Sequence, residues 1–384
     1  MTSKTNYVLK NVFHKYYSNN TVNIEIPKLI ANREFGYVPF DGKMVRHLSL
    51  KTHEELIDFL VRESPLAVYM SNAYYNFPTK PMMNKDWLAC DLVFDIDADA
   101  IPTKCKKNHD VWRCNKCNFM GKGIKPAKCN CGFNIISQIN WYCEICLSAA
   151  KFEVIKLIDF LTKDFGVTQK ELKLHFSGHR GYHVTINNDI FNSLSRMARN
   201  EISDYLKGVG FITEMMGLNK YSNFKTNYSQ IHDETYPGWY GRISNSFNNL
   251  SSDLVGNSDV IKDKIAYFFS HNKYSKFTKT IEKIVNQLSI NIDSSVTTDI
   301  HRIFRLSGTL HGKSGLLKSS INNIDEFDPF TDPVAFDDEH IIVKVIFPRE
   351  FVLNEQKFKV NIGSISLPKM AAVYLLCGGF AIID

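Results

Sequence analysis

The stretch Leu92-Val-Phe-Asp-Ile-Asp-Ala-Asp99 places Asp95 and Asp97 one residue apart in an otherwise apolar run. Successive side chains of a β-strand point to opposite faces, so these two carboxylates share one face while Phe94 and Ile96 pack behind them. Two adjacent buried carboxylates repel each other and lose hydration, which costs several kcal/mol unless a cation offsets it. Oxygen ligands of this kind suit Mg²⁺ or Mn²⁺. The stretch therefore predicts a strand that carries a divalent-cation site, against the alternative of solvated acids on a surface strand.

The composition is that of a globular protein. The chain has 384 residues, of which 44% are hydrophobic and 22% charged, with a net charge of +6. No apolar run reaches the roughly 18 residues that cross a bilayer, and the N-terminus lacks the apolar core of a signal peptide. We therefore expect an intracellular protein without a membrane partner.

Seven of the nine cysteines lie within 42 residues, which in an intracellular chain indicates metal binding rather than disulfides. The inner set has the spacing of a zinc ribbon and is complete in itself: Cys114, Cys117, Cys129 and Cys131. The flanking residues make a second set of four: Cys105, His109, Cys143 and Cys146. An alternative assigns the first four of these eight residues in sequence order to one ion and the last four to another. The two remaining cysteines, Cys90 and Cys377, have apolar neighbours and are predicted to lie in the core.

The segment from Lys104 to Lys128 is strongly basic, with eight Lys or Arg residues and the single acid Asp110. Such a segment suits contact with the phosphates of a nucleic acid, and a solvated basic loop is the alternative.

A second motif, Ser177-Gly-His-Arg-Gly-Tyr-His183, lies in a pattern that predicts strand, turn and strand. Its two glycines allow a sharp turn and a close approach to a ligand. The guanidinium of Arg180 is a planar set of donors that suits phosphate. Ser177 and His183 add further donors, so the turn is predicted to bind a phosphate-containing ligand.

A third motif runs from Asp293 to Gly315. The apolar positions of its first half are spaced for the buried face of a short helix: Val296, Ile300, Ile303 and Phe304. Arg302 and Arg305 would point away from that face, and His311 and Lys313 follow the helix. The run GTLHGKS is not a P-loop, because three residues rather than four separate its glycines.

Other patterns organise the rest of the chain. A strand is expected over Trp87–Asp97, and an apolar helix from Glu144 through Phe165 that stops at Gly166. Residues 190–290 are predicted to be a largely helical insertion, with a surface loop at 220–230. The run LPKMAAVYLLCGGF near the C-terminus is expected to form a helix that docks on the core.

Taken in order, these motifs resemble the catalytic small subunit of the archaeo-eukaryotic DNA primases, archaeal type. The resemblance is carried by DIDAD at 95–99, SGHRGYH at 177–183, and D-x-x-VT from Asp293 followed by RLSGTLHGKSG at 305–315. REFGYVPF at 33–40 and MVRHLSL at 44–50 are also similar to archaeal members. The resemblance implies an α+β fold, a primase-type catalytic core of mixed β-sheets flanked by helices, with an inserted zinc-binding element and a helical insertion.

The same resemblance implies the domain organisation. The expected parts are residues 1–103 (N-terminal part of the core), 104–146 (zinc-binding insertion), 147–190 (core with the nucleotide-binding turn), 191–288 (variable helical insertion) and 289–384 (C-terminal part of the core).

The resemblance also assigns residues by position. The expected ligands of catalytic Mg²⁺ or Mn²⁺ are Asp95, Asp97 and Asp293. The expected nucleotide-binding residues are Ser177, Arg180, His183, Arg305 and His311. Position 179 holds histidine where several relatives carry arginine, so Arg180 is the expected contact rather than His179. Asp299 is placed inside the predicted helix and is not assigned to metal.

The relatives have a cysteine–histidine pair followed by C-x-x-C-L and a helix, and CEICLSAAK at 143–151 resembles that ending. The resemblance therefore favours the nested arrangement, with one structural zinc on the flanking set and a second on the inner ribbon. Both sets use four protein ligands and leave no open position for catalysis.

The function implied by the family is DNA-dependent synthesis of short RNA primers, and also DNA primers, on single-stranded template by two-metal-ion nucleotidyl transfer with release of pyrophosphate, for DNA replication. Implied partners are an iron–sulfur-containing large subunit in a heterodimer, the template, and NTPs or dNTPs, in a cytoplasmic, nucleoid-associated setting. A repair or translesion primase-polymerase is the first alternative. A non-catalytic zinc-containing nucleic-acid-binding subunit is the second.

Overall fold

A computed structural model describes residues 2–222, 228–231, 234–250 and 252–384. The fold is mixed α+β, as predicted, with several small sheets and flanking helices. The α-helices are Ser3–Asn19, His53–Glu63, Lys106–His109, Glu144–Lys163, Asp189–Asn192, Arg196–Leu206, Trp239–Ser246, Ser252–Val255, Ile261–His271, Tyr274–Leu288, Ser294–Thr298 and Lys369–Gly378. Short 3₁₀ turns are Thr21–Asn23, Ile30–Asn32, Met82–Asn84, Gln169–Glu171, Thr213–Met216, Tyr228–Gln230 and Phe247–Asn249. Part of the predicted loop at 220–230, residues 223–227, lies outside the described residues.

The strands are β1 Phe35–Val38, β2 Val45–Leu48, β3 Ala67–Ser71, β4 Ala73–Tyr75, β5 Trp87–Cys90, β6 Leu92–Asp97, β7 Val111–Cys114, β8 Met120–Lys122, β9 Ile136–Ile139, β10 Leu172–Phe176, β11 Gly181–Ile186, β12 Ile303–Arg305, β13 Ser319–Ile321, β14 His340–Val345, β15 Arg349–Leu353, β16 Gln356–Val360, β17 Gly363–Pro368 and β18 Ala381–Ile382. Across the helices that the structure describes, none is long and apolar enough to cross a membrane.

One antiparallel sheet, in the order β13-β10-β11-β6, carries two of the three motifs. Its apolar face is buried against the helix Glu144–Lys163 and consists of Leu92, Phe94, Ile96, Tyr182, Val184 and Ile186. The alternate residues necessarily face the other way, because side chains of a strand alternate between faces. Asp95 pairs with His183 across β6 and β11, and His183 pairs with His175 across β11 and β10. A row of polar side chains thus crosses the sheet on the face away from the helix.

A second sheet, in the order β12-β3-β1-β2, corrects the prediction for the third motif. The helix there covers only Ser294–Thr298, and Ile303 and Phe304 belong to β12, which pairs with β3. A β-branched and an aromatic residue beside an open sheet edge gain backbone hydrogen bonds there that a short isolated helix would not supply. Phe304 and Val296 nevertheless belong to one buried cluster, as the apolar spacing suggested, together with Val93.

The end of one helix and the extent of one strand also differ from the predictions. Asp299 lies directly after the helix Ser294–Thr298 and not inside it, and its Oδ1 accepts a hydrogen bond from His301 N at 3.0 Å. The expected strand Trp87–Asp97 is divided at Asp91, whose carboxylate accepts hydrogen bonds from Arg33 at 2.8 Å and from Tyr74 at 2.7 Å. These buried contacts redirect the chain, so that β5 pairs with β4 and β6 joins the other sheet.

The remaining helix predictions agree with the structure. The helix Glu144–Lys163 begins where expected, and Gly166 adopts φ +69° shortly after its end, although Phe165 already lies beyond the last turn. In the helix Lys369–Gly378 every side chain from Met370 to Cys377 is buried. Cys90 and Cys377 are both buried, as predicted.

The inserted cysteine-rich segment forms a three-stranded sheet in the order β8-β7-β9. It buries a small cluster of its own, separate from the main core: Trp112, Cys114, Cys129 and Ile136. The cluster is so small that two of its four members are cysteines.

Candidate active site and metal centres

Asp293 lies near Asp95 and Asp97 at the end of β6. Asp95 and Asp97 share the polar face of the sheet, and the backbone N–H of Asp293 donates to the carbonyl of Asp95 at 3.0 Å. Asp293 caps the following helix, since its Oδ1 accepts from the N–H of Ser295 at 2.9 Å. The fold therefore brings the acid of the third motif to the pair in the first.

The carboxylate of Asp95 is charged only at a cost, because it is largely withdrawn from solvent and lies near other acids. Burial, then the charges of Asp97 and Asp293, raise its pKa to about 7. Within the residues described, its buried Oδ1 has no hydrogen-bond partner. Nε2 of His183 lies 3.4 Å from this oxygen. Burial also raises the pKa of Asp97. A buried carboxylate oxygen without a donor, next to two further acids, fits a hard divalent cation.

Arg180 forms ion pairs with Asp97 and with a fourth acid, Asp99. Its guanidinium pairs with Asp97 at 2.8 Å and with Asp99 at 2.7 Å, and these carboxylates raise its pKa against the opposing effect of burial. Asp99 was missed at the sequence level, although it continues the alternating acids of DIDAD.

Asp95, Asp97 and Asp293 are less tightly grouped than the cysteines. Among the described residues, groups of three or more potential ligands with their atoms within 4.8 Å of one another occur only in the two cysteine-containing sets.

The SGHRGYH turn is built around the hydroxyl of Ser177. Its Oγ accepts hydrogen bonds from the backbone N–H groups of His179, Arg180 and Gly181 at 3.3, 3.3 and 3.1 Å. Gly178 adopts φ +82°, and a Cβ at Gly181 would lie 2.1 Å from the carbonyl oxygen of Ile96. The two glycines therefore provide the left-handed turn and the close approach to β6 that bring Arg180 beside the acids.

His183 lies behind Asp95 and away from the tip of the turn. It is buried, and its ring packs edge-on against Phe304 with 4.9 Å between ring centres. Burial lowers its pKa well below the usual value, so the imidazole is neutral. The phosphate contact expected of His183 stays a prediction, and in the structure its Nε2 lies 3.4 Å from Oδ1 of Asp95.

The basic residues of the last motif lie beside the turn. The ring of His311 stacks on His179 at 4.8 Å, and burial lowers the pKa of His179 to about 3. Arg305 lies over the ring of Tyr69 at 5.1 Å, and Lys318 donates to the Arg305 carbonyl at 2.8 Å. Tyr69 and Lys318 carried no signal in the sequence, because their relation to Arg305 arises from strand pairing and a tertiary turn.

The flanking cysteine set forms a compact group at the start of the helix Glu144–Lys163. The Cys146 Sγ lies 3.4 Å from that of Cys105, 3.9 Å from that of Cys143 and 3.3 Å from His109 Nε2. Sulfur atoms bound tetrahedrally at about 2.3 Å from zinc would be about 3.8 Å apart. The other nitrogen of His109 contacts Asp110 at 2.8 Å, the carboxylate partner that commonly orients a metal-binding histidine.

The inner cysteine set forms a second, separate group. Cys114 Sγ lies 3.6 Å from Cys131 Sγ, and Cys117 Sγ lies 3.7 Å from Cys129 Sγ. The grouping in the structure therefore follows the nested arrangement and not the sequential one. Four thiolates at these separations could hold one metal ion, and thiolates favour zinc.

Comparison with known proteins gives one consistent family. The family model described as DNA primase small subunit matches residues 130–322. The chain is 36% identical to the DNA primase small subunit PriS of Nitrosopumilus maritimus, over 98% of each chain. It is 37% identical to that of Cenarchaeum symbiosum and 32% identical to that of Archaeoglobus fulgidus, over 99% of each chain in both cases.

Proposed function

The chain belongs to the family of DNA primase small subunits, and on that premise we propose that it synthesises short RNA primers, and DNA primers as a second product, on single-stranded DNA during replication. Its enzyme class is that of a DNA primase, a nucleotidyltransferase. The observation that carries the proposal is the buried, unpartnered Oδ1 of Asp95 beside Asp97 and Asp293.

The cations we propose are two Mg²⁺ or Mn²⁺ ions held by Asp95, Asp97 and Asp293. Bound there, such ions would activate the attacking 3′-hydroxyl and stabilise the departing pyrophosphate. The three acids are supplied by two separate segments, β6 and the residue that caps the helix Ser294–Thr298. The buried ring of His183, with Nε2 at 3.4 Å from Oδ1 of Asp95, would limit the space in which that carboxylate can move.

Phosphate binding is proposed for the basic groups beside the acids. Arg180 offers several N–H donors, and its side chain is 40% exposed, so it remains accessible to a nucleotide. Arg305 and His311 of the third motif lie on the other side of the turn. Ser177 holds the backbone of that turn, and His179 within it stacks on His311. Groups fixed in advance around the triphosphate lower the barrier by position and charge.

Arg180→Lys is expected to lower kcat/KM for the incoming nucleotide by about 10–100-fold, the equivalent of one or two charge-assisted hydrogen bonds. Lysine keeps the positive charge beside Asp97 and Asp99 but loses the planar arrangement of donors. Steady-state extension of a primed template measures the effect. Arg62→Lys, on an exposed arginine paired with Glu63, is the matched control. An unchanged kcat/KM in the Arg180 variant would contradict the proposed phosphate contact.

The function as a whole is tested by synthesis on unprimed single-stranded DNA with NTPs or dNTPs and Mg²⁺ or Mn²⁺. We expect short products that require template and a divalent cation. The reaction is run alone and with the large subunit from the same organism, because we propose a heterodimer with an iron–sulfur-containing large subunit that supports initiation. Extension of supplied primers with no initiation under either condition would favour a repair polymerase instead.

A further inference from the structure

The inserted zinc-binding segment has a surface charge of one sign. Its exposed basic side chains are Lys104, Lys107, Arg113, Lys116, Lys122, Lys125 and Lys128. Asp110 is the one acid between residues 104 and 143, and it is buried. Its carboxylate is already used, since Oδ1 contacts His109 and accepts from the N–H of Trp141 at 3.1 Å. These cations therefore have no acidic partner within their own segment.

Apolar side chains are exposed among these cations. Phe119 is 51% exposed, and Ile124 and Ile135 are exposed as well. The ring of Phe119 lies 5.6 Å from that of Trp112, which holds it in place from one side. Phe119 falls between Lys116 and Lys122 along the chain. Aromatic rings among cations are the arrangement with which proteins bind single-stranded nucleic acids, because bases stack on the rings while the cations contact the phosphates.

The C-terminal end of the segment lies beside the candidate active site. Gln138 and Asn140, at the end of β9, line the same cavity as His179, Arg180 and Lys313. The base of the segment therefore borders the turn to which we assigned the nucleotide.

We propose that the ribbon, defined as residues 111–139 with the inner cysteine set, binds the single-stranded DNA template outside the active site. The inference rests on the proposed function, since a primase copies such a strand. An acidic protein segment would satisfy the charges but would make no base stacking on Phe119. The ribbon should therefore contribute to template affinity in two ways, one electrostatic and one through stacking.

The electrostatic part is tested by the full-length triple variant Lys116→Gln, Lys125→Gln and Lys128→Gln. Each lost phosphate contact with a single strand reduces the slope of log affinity against log salt concentration by about 0.7. Three lost contacts should therefore lower the magnitude of this log–log slope by about 2. Binding should be about 100-fold weaker at 0.1 M salt. Fluorescence anisotropy with an oligo(dT) of about 20 nucleotides, without NTPs, measures both. The control variant replaces three exposed lysines elsewhere: Lys10, Lys279 and Lys283.

The stacking part is tested by Phe119→Leu, which keeps an apolar contact with Trp112 but removes the ring. We expect affinity for oligo(dT) to fall about fivefold or more with an unchanged salt slope, because stacking does not release counterions. Zinc content equal to that of the unaltered protein shows that the ribbon is still folded in each variant.

Equal affinities and equal slopes in the ribbon and control variants would overturn the proposal and leave an acidic protein partner as the explanation of the charge. This outcome is distinct from failure of the proposed function. Binding is measured without nucleotides, whereas the function fails if the unaltered protein makes no primers.

Discussion

Asp95→Asn is expected to reduce primer synthesis by about 1,000-fold or more. A loss of this size corresponds to about 4 kcal/mol, the scale on which bound cations stabilise the charge of a phosphoryl-transfer transition state. Asparagine is nearly isosteric with aspartate, but its neutral amide is a weak ligand for Mg²⁺. Synthesis on a single-stranded template with saturating NTPs and Mg²⁺ measures the loss.

The same substitution should not destabilise the fold. The side chain of Asp95 is only 15% exposed, and its pKa is raised to about 7 by burial and by Asp97 and Asp293, so its charge opposes folding near neutral pH. Removing that charge should leave the Tm unchanged or raise it. Lost activity together with a retained or higher Tm separates a catalytic role from a structural one.

Asp299→Asn is the matched control. Asp299 is an acid in the same motif as Asp293, and its Oδ1 accepts from the N–H of His301, a bond that the amide oxygen of asparagine retains. We expect near-normal synthesis. Wild-type rates in the Asp95 variant would disprove the metal assignment, and equal losses in both variants would show that the activity does not depend on the carboxylates we assigned.

The second large effect concerns zinc. We expect two zinc ions per chain, and the double variant Cys114→Ser with Cys131→Ser should retain one. These two cysteines lie in one group in the structure but would belong to different ions in the sequential arrangement. The sequential arrangement therefore predicts the loss of both ions. Elemental analysis of the purified protein measures the difference, and Cys90→Ser, a buried cysteine outside both sets, should keep two.

Loss of the flanking site should damage the fold far more than loss of the inner site. Cys146 belongs to the main hydrophobic core, and Cys105 and Cys143 pack against it, whereas Cys114 and Cys129 belong to the small cluster of the ribbon. Zinc binding contributes directly to folding free energy. Cys146→Ser should therefore lower the free energy of unfolding of the whole protein by several kcal/mol. Cys117→Ser should leave the main thermal transition nearly unchanged, and equal shifts in both variants would contradict this division.

The local part of the structure could be predicted from residue patterns. Alternation along β6 placed Asp95 and Asp97 on one face, and the glycine-containing turn between β10 and β11 followed from SGHRGYH. The start of the helix at Glu144 and the buried C-terminal helix were also predicted. Each of these depends on neighbours within a few residues, for which backbone geometry dictates which side chains share a face.

Predictions failed where a short apolar run suited either a helix or a strand. Ile303 and Phe304 have the spacing of a helix face, yet they form a strand because the edge of β3 offers them backbone hydrogen bonds. The run ending at Cys90 divided at Asp91 because Arg33 and Tyr74 hold that carboxylate. In both cases the deciding partner is distant in sequence, so the local pattern carried no information about it.

By itself, the sequence determined which chemical groups the protein has and which of them share a strand face, a turn or a ligand spacing. Only the tertiary structure decided that the backbone of Asp293 docks on Asp95 and that Arg180 is shared between Asp97 and Asp99. It also placed His183 behind Asp95. The physical reason is that these contacts join segments far apart in the chain, and their geometry follows from how the sheets and helices pack around a common core rather than from any one segment's own preferences.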